Sequence, residues 1–128
     1  MSHITTIAVL ILDLDAAAAA MRRLDGELHR GRTEFTYYAG QKGVCDHAIS
    51  FRDTAYEMGL KRRQDGKGFD LLWDPDMAYF QPEKFGAGAG KLKQAYATEV
   101  AIKAARRQGY SVTETRAQDG STVLKVRA

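Results

Sequence analysis

Three strand-like runs, His47 to Arg52, Tyr56 to Arg62 and Phe69 to Trp73, are joined by little more than the turn signals Asp53-Thr54 and Asp65-Gly66. Connections this short reverse a chain but cannot bring it back for a parallel pairing, which needs a crossover of a dozen or more residues. An antiparallel meander is therefore the feature around which everything else must fit. Within it, Tyr56, Met58 and Leu60 alternate with Glu57, Gly59 and Lys61, so one face of the sheet is apolar and the other is wet.

The flanking segments supply the second layer. Ile4 to Leu12 is a continuous apolar and β-branched run with the character of a central strand buried on both faces. Asp13 or Asp15 can cap the helix that follows, with Ala17, Ala20, Met21 and Leu24 on one face and Gly26 as a left-handed stop. Arg32 to Tyr38 reads as the second strand. Lys91 to Gln108 is the longest helix, and its small residues Ala97, Ala101, Ala104 and Ala105 with Val100 suit close packing on a sheet. A last hairpin pairs Tyr110 to Thr115 with Thr122 to Arg127 through Asp119-Gly120. The predicted order is β-α-β-β-β-β-α-β-β, an α+β fold with two helices on one face of a mostly antiparallel sheet, nearest to a ferredoxin-like variant. Residues 74–90 end in Gly86-Ala87-Gly88-Ala89-Gly90 and are expected to form a flexible loop.

At 128 residues, with 45% hydrophobic and 27% charged residues, the chain is sized and composed as one globular domain. No apolar run reaches the roughly 18 residues a membrane span requires. A single cysteine, Cys45, and the lack of a signal-peptide pattern lead to an expectation of cytoplasmic residence. Charge is uneven. Residues 1–83 carry ten Lys and Arg against 13 Asp and Glu, whereas residues 84–128 carry nine against three. Cations in the last turns of a helix complement its dipole, and that explanation of Lys103, Arg106 and Arg107 outweighs phosphate binding.

The candidates for chemistry are sparse. Cys45-Asp46-His47 sets a thiol, a carboxylate and an imidazole side by side, and Cys45 and His47 could share a strand face. A structural cysteine with an ordinary histidine outweighs a nucleophile here, because no orienting third group or oxyanion site is legible. A zinc site would have to recruit His3 or His29, since no C-x-x-C, H-x-x-x-H or H-E-x-x-H spacing occurs. Asp74-Pro75-Asp76 reads as capping chemistry ahead of cation binding. The glycine run before Lys91 fails the Walker pattern at Phe85 and Leu92. No metal, cofactor or catalytic set is expected.

With the elements in order, Met1-Ser2-His3-Ile4-Thr5-Thr6-Ile7 followed by Asp13-Leu14-Asp15 resembles the opening of a small uncharacterised family known from cyanobacteria, red-algal plastids and bacteriophages. The similarity recurs in Cys45-Asp46, in Tyr56-Glu57-Met58-Gly59-Leu60, in Phe69-Asp70-Leu71 after the Asp65-Gly66 turn, and in Gln94-Ala95-Tyr96-Ala97 leading to Ala105-Arg106 and Gly109-Tyr110. It spans nearly the whole chain. The departure is at residues 73–90, where such proteins usually carry an aromatic stretch. The resemblance implies the fold and no assigned reaction, and the alanine and arginine usage favours a phage or bacterial source.

The leading expectation is a small accessory protein that binds another macromolecule, a protein, through Trp73, Asp74, Asp76, Tyr79, Phe80 and Phe85. The alternative is a nucleic-acid module using Lys91, Lys93, Arg106, Arg107, Lys125 and Arg127 on phosphates and Tyr38 for stacking. An edge strand in the C-terminal hairpin also offers pairing across a two-fold axis, hence a homo-oligomer.

Overall fold

The computed structural model describes residues 4–128. Met1, Ser2 and His3, which open the family resemblance and include one of the two histidines a zinc site could recruit, lie outside the described residues. Strand β1, Thr5–Ile11, leads to helix α1, Leu14–Arg23, and Asp13 is its cap: Asp13 Oδ1 accepts from Ala16 N at 3.1 Å. Ala16, Ala17, Ala20 and Met21 are buried, the small side chains letting the backbone lie close to the layer below. The left-handed position after the helix is taken by Asp25 (φ 59°), not by Gly26. Gly26 instead opens a strand absent from the sequence reading, β2, Gly26–Arg30. Its hydrogen is needed because a β-carbon there would stand 2.9 Å from Phe51 Cε1. With Leu28 its only large apolar residue, β2 carries no period-2 signal of its own; pairing with its neighbour makes it a strand.

Strands β3, Glu34–Thr36, and β4, Lys42–Val44, form a small ribbon around a tight turn at Tyr38–Gly40. The meander then follows as β5, His47–Phe51, β6, Thr54–Arg62, and β7, Phe69–Trp73. The five-stranded sheet runs β1-β7-β6-β5-β2, antiparallel throughout. The β1-α1-β2 unit is thus a split β-α-β with three strands between its two halves. Register aligns Ile7, Leu71, Leu60 and His47 across four strands on the face toward α1. Ile11, Phe69, Trp73, Met58, Ile49 and Phe51 complete that face, each burial contributing roughly 1.5–3 kcal/mol.

The opposite face is not simply wet, as the alternation in β6 suggests. The β3–β4 ribbon folds over it, and Phe35 packs with Cys45 and Ala48, joined by the half-buried Ile4, Tyr37 and Leu72. Arg32 to Tyr38 is therefore not a member of the main sheet. The cause is local: Gly59 leaves a vacancy in the wet face, and the nearest aromatic, Phe35, fills it.

After β7 come α2, Asp76–Phe80, α3, Pro82–Phe85, a 3-10 turn at Ala87–Ala89 and α4, Gly90–Arg107. The segment expected to be an irregular flexible loop is thus largely helical. The glycines punctuate its helices, and burial of Met77, Phe85 and Ala89 holds them. In α4 the buried residues are Leu92, Ala95, Tyr96, Thr98 and Ile102, while Ala97, Val100, Ala101 and Ala104 are exposed. The face with the larger side chains buries more apolar surface and wins over the small-residue stripe. Helix α4 packs on α1: Tyr96 Oη accepts from the backbone N–H groups of Leu12 (3.0 Å) and Asp13 (3.2 Å), and Lys103 Nζ reaches Asp13 Oδ2 at 2.7 Å. The chain ends in a separate ribbon of β8, Ser111–Arg116, and β9, Thr122–Arg127. Among the described residues no helix is long and apolar enough to cross a membrane.

Candidate functional site

The segment between β7 and α4 is built from its anchors outward. Asp74 braces the turn into α2: its Oδ1 accepts from Asp76 N at 3.0 Å and its carbonyl accepts from Met77 N at 3.0 Å. Asp74 is 1% exposed, and its Oδ2 has no hydrogen-bond partner among the described residues. Phe85, fully buried, presents its ring edge-on to Phe51 (5.2 Å between centroids) and to Trp73 (6.0 Å). Trp73, Asp74 and Phe85, expected to face a partner, are therefore structural. Their sequence neighbours among polar and glycine residues disguised a core contact that only the return of the chain over the sheet creates.

Two of the expected residues do face solvent. Tyr79 is 79% exposed and Phe80 62%. Phe80 stacks against Tyr56 with centroids 6.3 Å apart and planes inclined by 28°, and Tyr79 meets Phe80 edge-on at 5.4 Å. Such offset and edge geometries hold aromatic rings in defined positions. Tyr56 is half-buried, and burial together with the carboxylates of Asp74 and Asp76 pushes its phenol up from the ordinary value. The result is an aromatic patch carried on α2, whose other side is fixed by Met77. Two prolines, Pro75 before α2 and Pro82 at the first position of α3, were the signal of helix starts available in the sequence.

Beside Phe80 opens a cleft of about 720 Å³, between the end of α1, the α2–α3 junction, the start of α4 and the turn end of the β8–β9 ribbon. Arg23 lines it, donating to Glu114 through Nη1 (2.6 Å) and Nη2 (2.7 Å) and to Glu99 through Nε (2.9 Å). This hydrogen bonding raises the Arg23 guanidinium above its already high ordinary value and holds the Glu114 carboxyl below its usual range. With the contact of Gln94 Nε2 to Thr122 Oγ1 at 3.3 Å, it ties the ribbon to the helices. Lys84 pairs with Asp53 and keeps that carboxyl low. Lys91 Nζ donates to the Glu83 carbonyl at 2.5 Å, and Arg116 Nη1 to the Gly120 carbonyl at 3.2 Å. None of Arg23, Lys84, Gln94 or Arg116 stood out in the sequence as a cleft residue, since they come from four separate elements.

The cations expected to hold phosphates lie on α4 and β9. Lys91 and Arg107 occupy the two ends of α4, about 24 Å apart at the rise of a helix. Lys125 and Arg127 share the side of β9 turned away from Leu124, while Arg106 and Lys93 sit on α4. Tyr38 stands in the β3–β4 turn, half exposed, on the ribbon that covers the face away from the helices.

The Cys45-Asp46-His47 triplet also separates. The Cys45 thiol donates to the Arg32 carbonyl at 3.3 Å inside the Phe35 cluster, and burial pushes it up. His47 lies on the other face, its ring edge-on to Phe69 at 5.1 Å, with Nδ1 accepting from Gly31 N at 2.9 Å. Burial lowers its pKa. Asp46 Oδ2 accepts from Arg62 N at 2.6 Å. The pairing of thiol and imidazole on one face does not occur, because Cys45 precedes the strand and turns toward Phe35. Among the described residues no three His, Cys, Asp or Glu side chains gather as a metal would need.

The family model described as a protein of unknown function, DUF1257, matches residues 20–124. No curated protein and no solved structure matches the chain.

Proposed function

Because the chain belongs to DUF1257, a family of proteins of unknown function, we propose its role from its surface: it is an accessory protein that binds a partner protein through the aromatic patch of Tyr79 and Phe80 with Tyr56. The observation that carries this reading is the exposure of Tyr79 and Phe80, 79% and 62%, on a helix whose inner side is buried. Exposed aromatics held in place by packing are the residues that dominate protein interfaces, because they bury large area with little loss of side-chain freedom. Cations spread over both ends of α4 and the outer side of β9 favour this reading over binding of a nucleic-acid backbone.

A photo-crosslinking residue placed at position 79 in the full chain, used in a lysate of the source cells, tests it. A partner captured from position 79 and not from an exposed control position such as Gln64, and lost when Phe80 is changed to serine, is the expected outcome. Identical proteins captured from both positions would refute it.

A further inference from the structure

Building on the reading of Tyr79 and Phe80 as a protein contact, we infer that the adjoining cleft receives an acidic segment of the same partner. Most charges around the cleft are already matched: Arg23 with Glu99 and Glu114, Lys84 with Asp53, and Asp25 with Arg52. Lys91 and Arg116 are different. They stand on two different walls, on α4 and on β8, and their polar contacts are carbonyl oxygens, those of Glu83 and Gly120. Neither has a carboxylate partner among the described residues. The first turn of α4 carries no acidic residue either.

Two cations without a salt-bridged carboxylate, on separate walls of one cleft, are complementary to carboxylates arriving from outside. Arg116 suits them best, since its planar fork can take a carboxylate through two parallel hydrogen bonds. The cleft's volume is that of a site for a ligand rather than for a single ion. Its apolar wall at Leu24, Phe80 and Pro82 offers contact to side chains between the carboxylates. Phe80 belongs to both the patch and the cleft, so one partner can engage the two surfaces continuously.

The test is a titration of the isotope-labelled full chain with a capped hexaglutamate peptide, followed by backbone amide shifts, with hexalysine and inorganic phosphate in parallel. Hexaglutamate is expected to shift the amides of Lys91, Gln94, Arg116 and Thr122, with affinity about tenfold weaker after Arg116→Glu or Lys91→Glu and falling with added salt. Arg116→Gln, which removes the charge without reversing it, gives a smaller loss, and a retained amide spectrum shows that each variant folds. Absence of shifts, equal shifts from phosphate alone or from hexalysine, or binding untouched by both reversals would each overturn the inference. Failure of the Phe80→Ser crosslinking test while hexaglutamate still shifts the cleft would sink the aromatic reading alone.

Discussion

Phe35 lies against Gly59 so closely that a β-carbon on the glycine would stand 2.5 Å from Phe35 Cδ1 and 3.0 Å from the Cys45 β-carbon. Gly59→Ala is expected to destabilise the protein by about 1–3 kcal/mol through overpacking. Phe35→Leu in the same chain should recover part of that loss, because the two residues share one space. Urea unfolding midpoints of the single and double variants measure both effects. Strict additivity would mean that the ribbon does not seat Phe35 over the sheet.

The Tyr96 hydroxyl serves two backbone donors at the β1–α1 junction. Tyr96→Phe leaves the N–H groups of Leu12 and Asp13 without that acceptor in a partly buried place, and a loss of about 1–3 kcal/mol follows. Asp13→Ala removes the cap of α1 and the partner of Lys103, at a cost of roughly 1 kcal/mol. Thermal unfolding of the two variants checks these values.

Burial favours the neutral form of His47, whose Nδ1 accepts from Gly31 N. Its folded pKa lies below the ordinary 6.5, so the unfolded chain takes up the proton first as pH falls. The stability this contributes is complete above pH 6.5 and declines as pH drops through that value toward the folded pKa. His47→Gln, which keeps an acceptor but does not titrate, should flatten the decline in denaturant midpoint between about pH 7 and 5. An unchanged slope would show that the loss comes from another group. Asp13 and Glu114, both lowered chiefly by hydrogen bonds from Lys103 and Arg23, add a further loss as pH falls below their ordinary values of 3.8 and 4.5.

Within residues 74–90 the aromatics divide by role. Tyr79→Ser should change stability by no more than about 0.5 kcal/mol, whereas Phe85→Ala should cost roughly 3–5 kcal/mol by opening a cavity beside Phe51 and Trp73. Chemical denaturation separates them, and similar losses would mean that Tyr79 is not a free surface residue.

Arg23 tethers the C-terminal ribbon through its paired hydrogen bonds to Glu114. A two-stranded ribbon is marginal by itself, so Arg23→Ala should speed amide hydrogen exchange in β8 and β9 while leaving β5, β6 and β7 protected. Equal acceleration in the meander would indicate that ribbon and sheet open together.

What the residues alone determined is the part governed by local periodicity and punctuation. The antiparallel meander, a carboxylate cap at Asp13 or Asp15, the two longer helices and the final hairpin all follow from alternation, capping carboxylates and turn glycines, because those preferences act within a few residues. Tertiary packing decided the rest. Strand β2 exists because β5 offers it a ladder, Phe35 crosses to the far face because Gly59 leaves room, and residues 76–85 become helical because Phe85 finds Phe51 and Trp73. The same reason hid the cleft: Arg23, Lys91 and Arg116 are far apart along the chain, and only the docking of the ribbon against α1 and α4 brings them together.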